Sequence, residues 1–324
     1  MMHVEHVSAH YKTITGPVLA IEDVNFTIHD DEIFGIAGES GCGKSTLLKI
    51  LYDVLRFPLE LTEGRVVLEY QDRDGASRSL ASGELHKSWW NAISYVPQAA
   101  MSVLNPVYRI DEQFFETIGK GHGRIHKAQL RSQIAQYLRG LGLPETVLSA
   151  YPHQLSGGMR QRVVIAMATF LHPNMILADE PTTALDVVVQ RNILMMLMAL
   201  QKEMHNTLVI VSHDMGVHYQ ITDRMGIMYA GSMVELGRTN EIFESPLHPY
   251  TEMLIGALPK VGDRRTKEGI PGAPPSLRNP PPGCRFADRC RFADRCRKAR
   301  PECTMSIPKL REIEPGRFAA CHLL

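Results

Sequence analysis

Apolar residues change rhythm several times along the chain, and each rhythm predicts a different element. Val24, Phe26 and Ile28 alternate with polar Asn25 and Thr27, the period of a half-buried strand. Residues 33–37 are a short, largely apolar run that stops at Gly38, as a buried strand does. Over 46–55 the apolar positions fall at 47, 48, 51, 54 and 55, which is helical spacing. Strand, glycine-rich turn and helix together predict a βα unit of a parallel sheet. Two more buried strands are expected at 175–178 and 207–211, preceded by helices over 158–171 and 187–204. Between them, residues about 108–150 read as helical with no strand signal, an insert in an α/β core. After about residue 260 the texture changes. Residues 271–282 hold six prolines and can form neither helix nor inner strand. They read as an extended connector to a small module in which Cys-Arg-Phe-Ala-Asp-Arg at 284–289 recurs at 290–295.

Composition narrows the picture. A chain of 324 residues, 44% hydrophobic and 22% charged, suits one large domain with an appendage, or two domains. Lys plus Arg and Asp plus Glu number 35 each, so no global field draws nucleic acid or an anionic membrane. The first residues lack the apolar core of a secretory signal. The longest apolar stretches, 163–171 and 193–200, fall short of the roughly 20 residues needed to span a bilayer. Any membrane role is therefore expected from the cytosolic side, through partners. Cys42 stands alone near the front, whereas Cys284, Cys290, Cys296, Cys303 and Cys321 crowd the end. In a reducing compartment such a cluster points to metal rather than disulfides.

The strongest chemical motif is at 38–45, Gly-Glu-Ser-Gly-Cys-Gly-Lys-Ser, which fits G-x-x-x-x-G-K-[ST]. Gly38, Gly41 and Gly43 let the backbone wrap a phosphate with successive N–H groups pointing inwards. The helix that follows adds its positive end, Lys44 reaches the outer phosphates and the Ser45 hydroxyl takes Mg²⁺. Cys42 reads as a small space-filler rather than a nucleophile. The strand at 175–178 ends in Asp179 and Glu180. In a phosphate-loop protein an Asp there holds Mg²⁺, and Glu180 is placed to polarise the attacking water.

Leu155, Ser156, Gly157, Gly158, Met159, Arg160, Gln161 and Arg162 resemble the signature sequence of ABC ATPases. Other stations of that family follow in order: Gln98 matches the Q-loop, Asp186 the D-loop and His213 the switch histidine, and Tyr11 falls where the family stacks a ring on adenine. The resemblance covers roughly residues 3–255. It implies a P-loop NTPase α/β core with an N-terminal antiparallel β-subdomain, an α-helical subdomain over about 105–160, and a small irregular Cys-rich C-terminal module. The nucleotide-binding domain would then span 1–255, with connector and module in 256–324. By the same resemblance Ser40, Thr46 and Gln98 join the ATP and Mg²⁺ contacts. Ser156, Gly157, Gly158 and Asp186 serve the nucleotide of a second subunit in a head-to-tail pair. Glu180, His213, Gln98 and Lys44 are the expected catalytic set.

Residues 101–106 (Met-Ser-Val-Leu-Asn-Pro), Pro246, His248, Pro249, Tyr250 and the phrase Pro282-Gly283-Cys284-Arg285-Phe286 are similar to the dipeptide/oligopeptide permease ATPases, in their D-type subunit. That implies a second, non-identical ATPase, two membrane permease subunits and an extracytoplasmic solute-binding protein, with this chain peripheral on the cytoplasmic face. Some similar members carry oligosaccharides. The alternative class, a soluble ABC ATPase acting on nucleic acid or ribosomes, would bring a second fused cassette or a long coiled-coil insert, and neither is present.

Cys284, Cys290 and Cys296 are each separated by five residues, with no tight pair of the kind structural zinc prefers. The wider spacing suits a [4Fe–4S] cluster, which needs four thiolates. Between 284 and 300 seven Lys or Arg face only Asp288 and Asp294, a surplus that favours an anionic cluster. Relatives carry a cluster in a similar tail, with one more residue between the second and third cysteines. The expected ligands are Cys284, Cys290, Cys296 and Cys321, with Cys303 as the alternative; zinc and unligated thiols stay open.

Overall fold

The computed structural model describes residues 1–98, 102–119, 127–259, 269–290 and 302–324. They form two compact units, one of residues 1–69, 77–86 and 211–324, the other of 70–76 and 87–210.

In the first unit the apolar run becomes the strand Ile33–Ala37, every residue buried. It pairs in parallel with Arg224–Tyr229, Phe34 opposite Arg224 and Ala37 opposite Ile227. That strand turns back on Ser232–Arg238, which pairs with Arg317–Ala319, and this last strand pairs with Arg311–Glu314. A second, antiparallel sheet holds Met2–Thr13 between Gly16–Ile28 and Leu59–Gln71, with Ser77–Ala81 at the edge. The alternation at 24–28 marks only the end of a much longer strand. Its remainder is irregular in register, which breaks the period-2 signal.

The helix expected through residue 55 runs only over Lys44–Leu51. Asp53 adopts φ 60° and its carboxylate accepts the Gly83 amide at 2.8 Å. This left-handed residue ends the helix, and Val54 and Leu55 meet the fold outside it. The proline connector is tied down, since Leu19 donates its amide to the Leu277 carbonyl at 3.0 Å. The tail after residue 255 belongs to the same compact unit as the N-terminal strands. Its strand Arg317–Ala319 finds hydrogen-bond partners on Ser232–Arg238.

In the second unit Ile93–Val96 pairs in parallel with the fully buried Met175–Asp179, beside Thr207–Val211. The helical insert resolves into Ile110–Gly119 and Lys127–Gly140, with a short 3-10 turn at Glu145–Ser149. Lys127–Gly140 buries Leu130, Ile134, Ala135 and Leu138, one stripe of a helix. Tyr137 and Phe114 each meet Phe170 edge-on, and Arg131 pairs with Asp111 at 3.0 Å. The helices Gly157–Thr169 and Val187–Met204 follow. Among the described residues no helix is long and apolar enough to cross a membrane.

Two fully buried histidines make stability depend on pH. His218 donates Nε2–H to the Ser212 carbonyl at 3.1 Å, and its Nδ1 has no partner among the described residues. His248 accepts the Tyr250 amide on Nδ1 at 3.0 Å and so caps the helix Pro249–Gly256. Burial pushes both from the ordinary 6.5 down to about 4. Between those values the unfolded chain takes up protons that the folded chain refuses, so stability is complete above pH 6.5 and falls as pH drops. Each histidine is expected to cost about 3 kcal/mol by pH 4. Urea midpoints from pH 7 to 4.5 should fall, and two of the 14 histidines should show no NMR titration above pH 5. Fourteen imidazoles titrating near 6.5 would refute this.

Candidate functional site

The phosphate loop of the first unit is held open by its glycines. Gly38 has φ +149°, and a Cβ there would stand 2.2 Å from the Met228 carbonyl oxygen. Gly43, at φ +109°, caps the helix Lys44–Leu51, and a Cβ on it would meet the Ala20 oxygen at 2.7 Å. No larger residue fits either position without moving backbone. Lys44 is 6% exposed, and its ammonium donates to the carbonyls of Gly38 (2.8 Å) and Glu39 (2.9 Å). Ser40 and Gly41 are exposed at the loop's crest, and Ser45 is half-buried. Cys42 is buried, and burial raises its thiol against the opposing pull of Lys44. The Tyr11 hydroxyl shares a hydrogen bond with Thr46 Oγ1 at 3.0 Å, joining the expected adenine residue to the loop's helix. His213 is exposed, between the strand Thr207–Val211 and the helix Met215–Ile221.

In the second unit the strand Met175–Asp179 delivers two carboxylates with different surroundings. Asp179 is 3% exposed and accepts a hydrogen bond from the Tyr95 hydroxyl at 3.0 Å. Glu180 follows with φ 45°, an uncommon backbone for a residue with a Cβ. Its Oε2 accepts Gln98 Nε2 at 3.0 Å and Thr183 Oγ1 at 2.8 Å. Both donors hold the carboxylate in one orientation. Ser156 caps the helix Gly157–Thr169, accepting the Met159 amide on Oγ at 3.3 Å. Gly158 lies against Val189, where a Cβ would come within 2.7 Å of its Cγ1. Asp186 likewise caps Val187–Met204, accepting the amides of Val188 (3.1 Å) and Val189 (2.9 Å).

Tyr95 and Thr183 escaped the sequence reading because neither motif alone says what a neighbouring strand or turn will face. Tyr250 was read only as part of a family phrase; its hydroxyl accepts the Glu39 amide at 2.9 Å. Arg289, read as one of several surplus cations, forms a two-pronged pair with Glu39.

In the tail, Cys296 and residues 291–301 lie outside the described residues. Burial lifts the Cys284 thiol to about 11, and the neighbouring Cys321, Cys303 and Cys290 each add to the rise. The Cys284 amide also donates to the Cys303 carbonyl at 2.8 Å. Among the described residues no three His, Cys, Asp or Glu side chains converge as a metal site.

Comparison with known proteins adds to this geometry. The ABC transporter family model matches residues 21–183, and that of the oligopeptide/dipeptide transporter C-terminal region matches 234–294. The dipeptide transport ATP-binding protein DppD of Caldanaerobacter subterraneus subsp. tengcongensis is 38% identical over 326 residues, covering 100% of this chain and 97% of its own. The oligopeptide transport ATP-binding protein OppD of Escherichia coli is 36% identical, covering 99% of this chain and 92% of its own. The dimeric ATP-binding cassette MJ0796, solved with ADP and Pi, superimposes with TM-score 0.62 at 31% identity, covering 74% of this chain and 99% of that one.

Proposed function

The chain belongs to the ABC transporter family as an ATP-binding subunit of the dipeptide/oligopeptide kind, and from that premise we propose how its residues divide the work. It is a transport ATPase. The observation that carries this reading is the phosphate loop, whose Gly38 and Gly43 leave no room for side chains while Lys44 turns its ammonium onto the loop's own carbonyls. An anionic phosphate is a better partner for that ammonium than two neutral carbonyls.

In our assignment Gly38, Ser40, Gly41, Cys42, Gly43 and Thr46 bind phosphate through the loop and the helix start, with Lys44 on the outer oxygens. Tyr11 carries the adenine. Ser45, Gln98 and Asp179 are the residues for Mg²⁺, which neutralises charge on the phosphates when bound. Glu180 takes the proton of the attacking water, and Gln98 and Thr183 orient it. His213 steadies the terminal phosphate. Ser156, Gly157, Gly158 and Asp186 face the nucleotide of a second ATPase subunit, so that ATP joins the two and hydrolysis releases them. The exposed tip of the helix Gly157–Thr169, where Ser156 sits, supports this role.

The cargo follows from the relatives' names, dipeptide and oligopeptide. Partners in this reading are a non-identical ATPase, two permease subunits and a solute-binding protein, on the cytoplasmic face of the membrane. The tail would hold a [4Fe–4S] cluster on Cys284, Cys290, Cys296 and Cys321, with Cys303 as the alternative, a reading that rests on the cysteine spacing. Such a group would tie distant chain positions together. One preparation tests all of this: the complex purified without oxygen, assayed for iron and sulfide and for ATPase in the presence of its binding protein. About four irons per tail and turnover stimulated by peptide are expected. An iron-free tail would end the cluster proposal, and stimulation by oligosaccharide but not peptide would end the cargo assignment.

A further inference from the structure

Glu39 lies inside the phosphate loop, yet it is gripped from the far end of the chain. Its amide N–H donates to Tyr250 Oη at 2.9 Å, and its carbonyl accepts Lys44 Nζ at 2.9 Å. Its carboxylate is taken by both arms of Arg289, Nη1 to Oε2 at 2.7 Å and Nη2 to Oε1 at 3.0 Å. Arg289 is itself immobilised. Its side chain is 5% exposed, Nε donates to the Pro271 carbonyl at 2.8 Å, and Nη1 also donates to Tyr229 Oη at 3.1 Å. The guanidinium carbon lies 5.6 Å from the centre of the Tyr229 ring.

Arg289 closes the first of the two hexapeptide repeats, and the rest of that hexapeptide braces the same place. Phe286 is 2% exposed and meets Tyr229 and Tyr250 edge-on at 5.2 and 5.4 Å. Arg285 donates to the Ala230 carbonyl and pairs with Glu22. The next residue, Gly231, donates its amide to the Cys42 carbonyl at 2.9 Å, inside the loop again. Residues 284–290 are thus a strap behind the phosphate loop, with a cysteine at each end.

We propose that Arg289 is a positioning residue for nucleotide binding, acting on the phosphate loop through Glu39. Two physical effects follow from the pair. The bidentate grip fixes one residue of a loop whose amides must converge on phosphate. The guanidinium also cancels a carboxylate that would otherwise repel that phosphate at close range. Surface ion pairs contribute little, but this one is largely buried and shares its cation with two fixed acceptors. The inference rests on the proposal that this loop binds ATP.

The test is a double-mutant cycle on the full chain, read as the dissociation constant of a fluorescent ATP analogue with Mg²⁺. R289Q should weaken binding about tenfold, because it strands the Glu39 charge beside the phosphates. The same change made in an E39Q background should cost less than twofold. In the assembled complex R289Q should raise KM for ATP with kcat within about twofold, which marks lost binding rather than lost chemistry. R289K keeps the charge but loses the planar fork, and recovers only part of the affinity. If R289Q fails to fold, R289K carries the test against wild type. A lower melting temperature with an unchanged dissociation constant would reduce the pair to a structural tie and overturn the proposal, as would equal costs of R289Q in both backgrounds. A wild-type chain that binds no nucleotide would sink the ATP reading instead.

Discussion

Glu180→Gln is expected to lower steady-state ATP hydrolysis by about a thousandfold, the scale on which a positioned general base contributes. Glutamine keeps the shape of the side chain, and its amide oxygen can still accept from Gln98 and Thr183, which stand 3.0 and 2.8 Å from the native carboxylate. What it lacks is the ability to take a proton from water. Nucleotide affinity should therefore change little, and ATP-bound pairs of subunits should accumulate. Single-turnover hydrolysis and size-exclusion chromatography with ATP measure both effects. Hydrolysis at the native rate would remove Glu180 from the role of base.

Lys44→Ala is expected to act one step earlier. It removes a cation that is 6% exposed and leaves the carbonyls of Gly38 and Glu39 without their donor. Charge-assisted bonds to phosphate are the strong members of their class, and in a partly enclosed loop their loss should weaken ATP binding about a hundredfold or more. Hydrolysis and cargo uptake should become undetectable together. Titration with a fluorescent nucleotide, alongside circular dichroism to establish folding, separates lost affinity from lost structure. A folded Lys44→Ala chain with native affinity would contradict the phosphate-loop assignment. The two substitutions are thus distinguishable: one binds and does not turn over, the other does not bind.

The strap behind the loop gives the cysteine-rich tail a physical connection to the chemistry. Phe286, Arg285 and Arg289 carry it, through Tyr229, Tyr250 and Glu39. It also accounts for the motif at 248–250. His248 caps a helix, Pro249 starts it, and Tyr250 reaches from its first turn to the Glu39 amide.

What could be read from the sequence alone was whatever is local. Residues 33–51 specify a strand, a glycine turn and a helix within one short stretch, so backbone freedom and apolar spacing suffice to recognise them. The strand ending in Asp179, the helix opened by Ser156 and the strand Thr207–Val211 were legible for the same reason. Only tertiary structure decided what those local pieces touch. Asp179 meets Tyr95 across 84 residues, and Glu39 meets Arg289 across 250. The end of the first helix was decided by Asp53 turning towards Gly83, thirty residues away. The tail's place in the first unit was decided by which strand edge Arg317–Ala319 could reach. Local backbone preference and periodicity are properties of neighbouring residues, whereas an ion pair between distant positions exists only after the chain has folded around both.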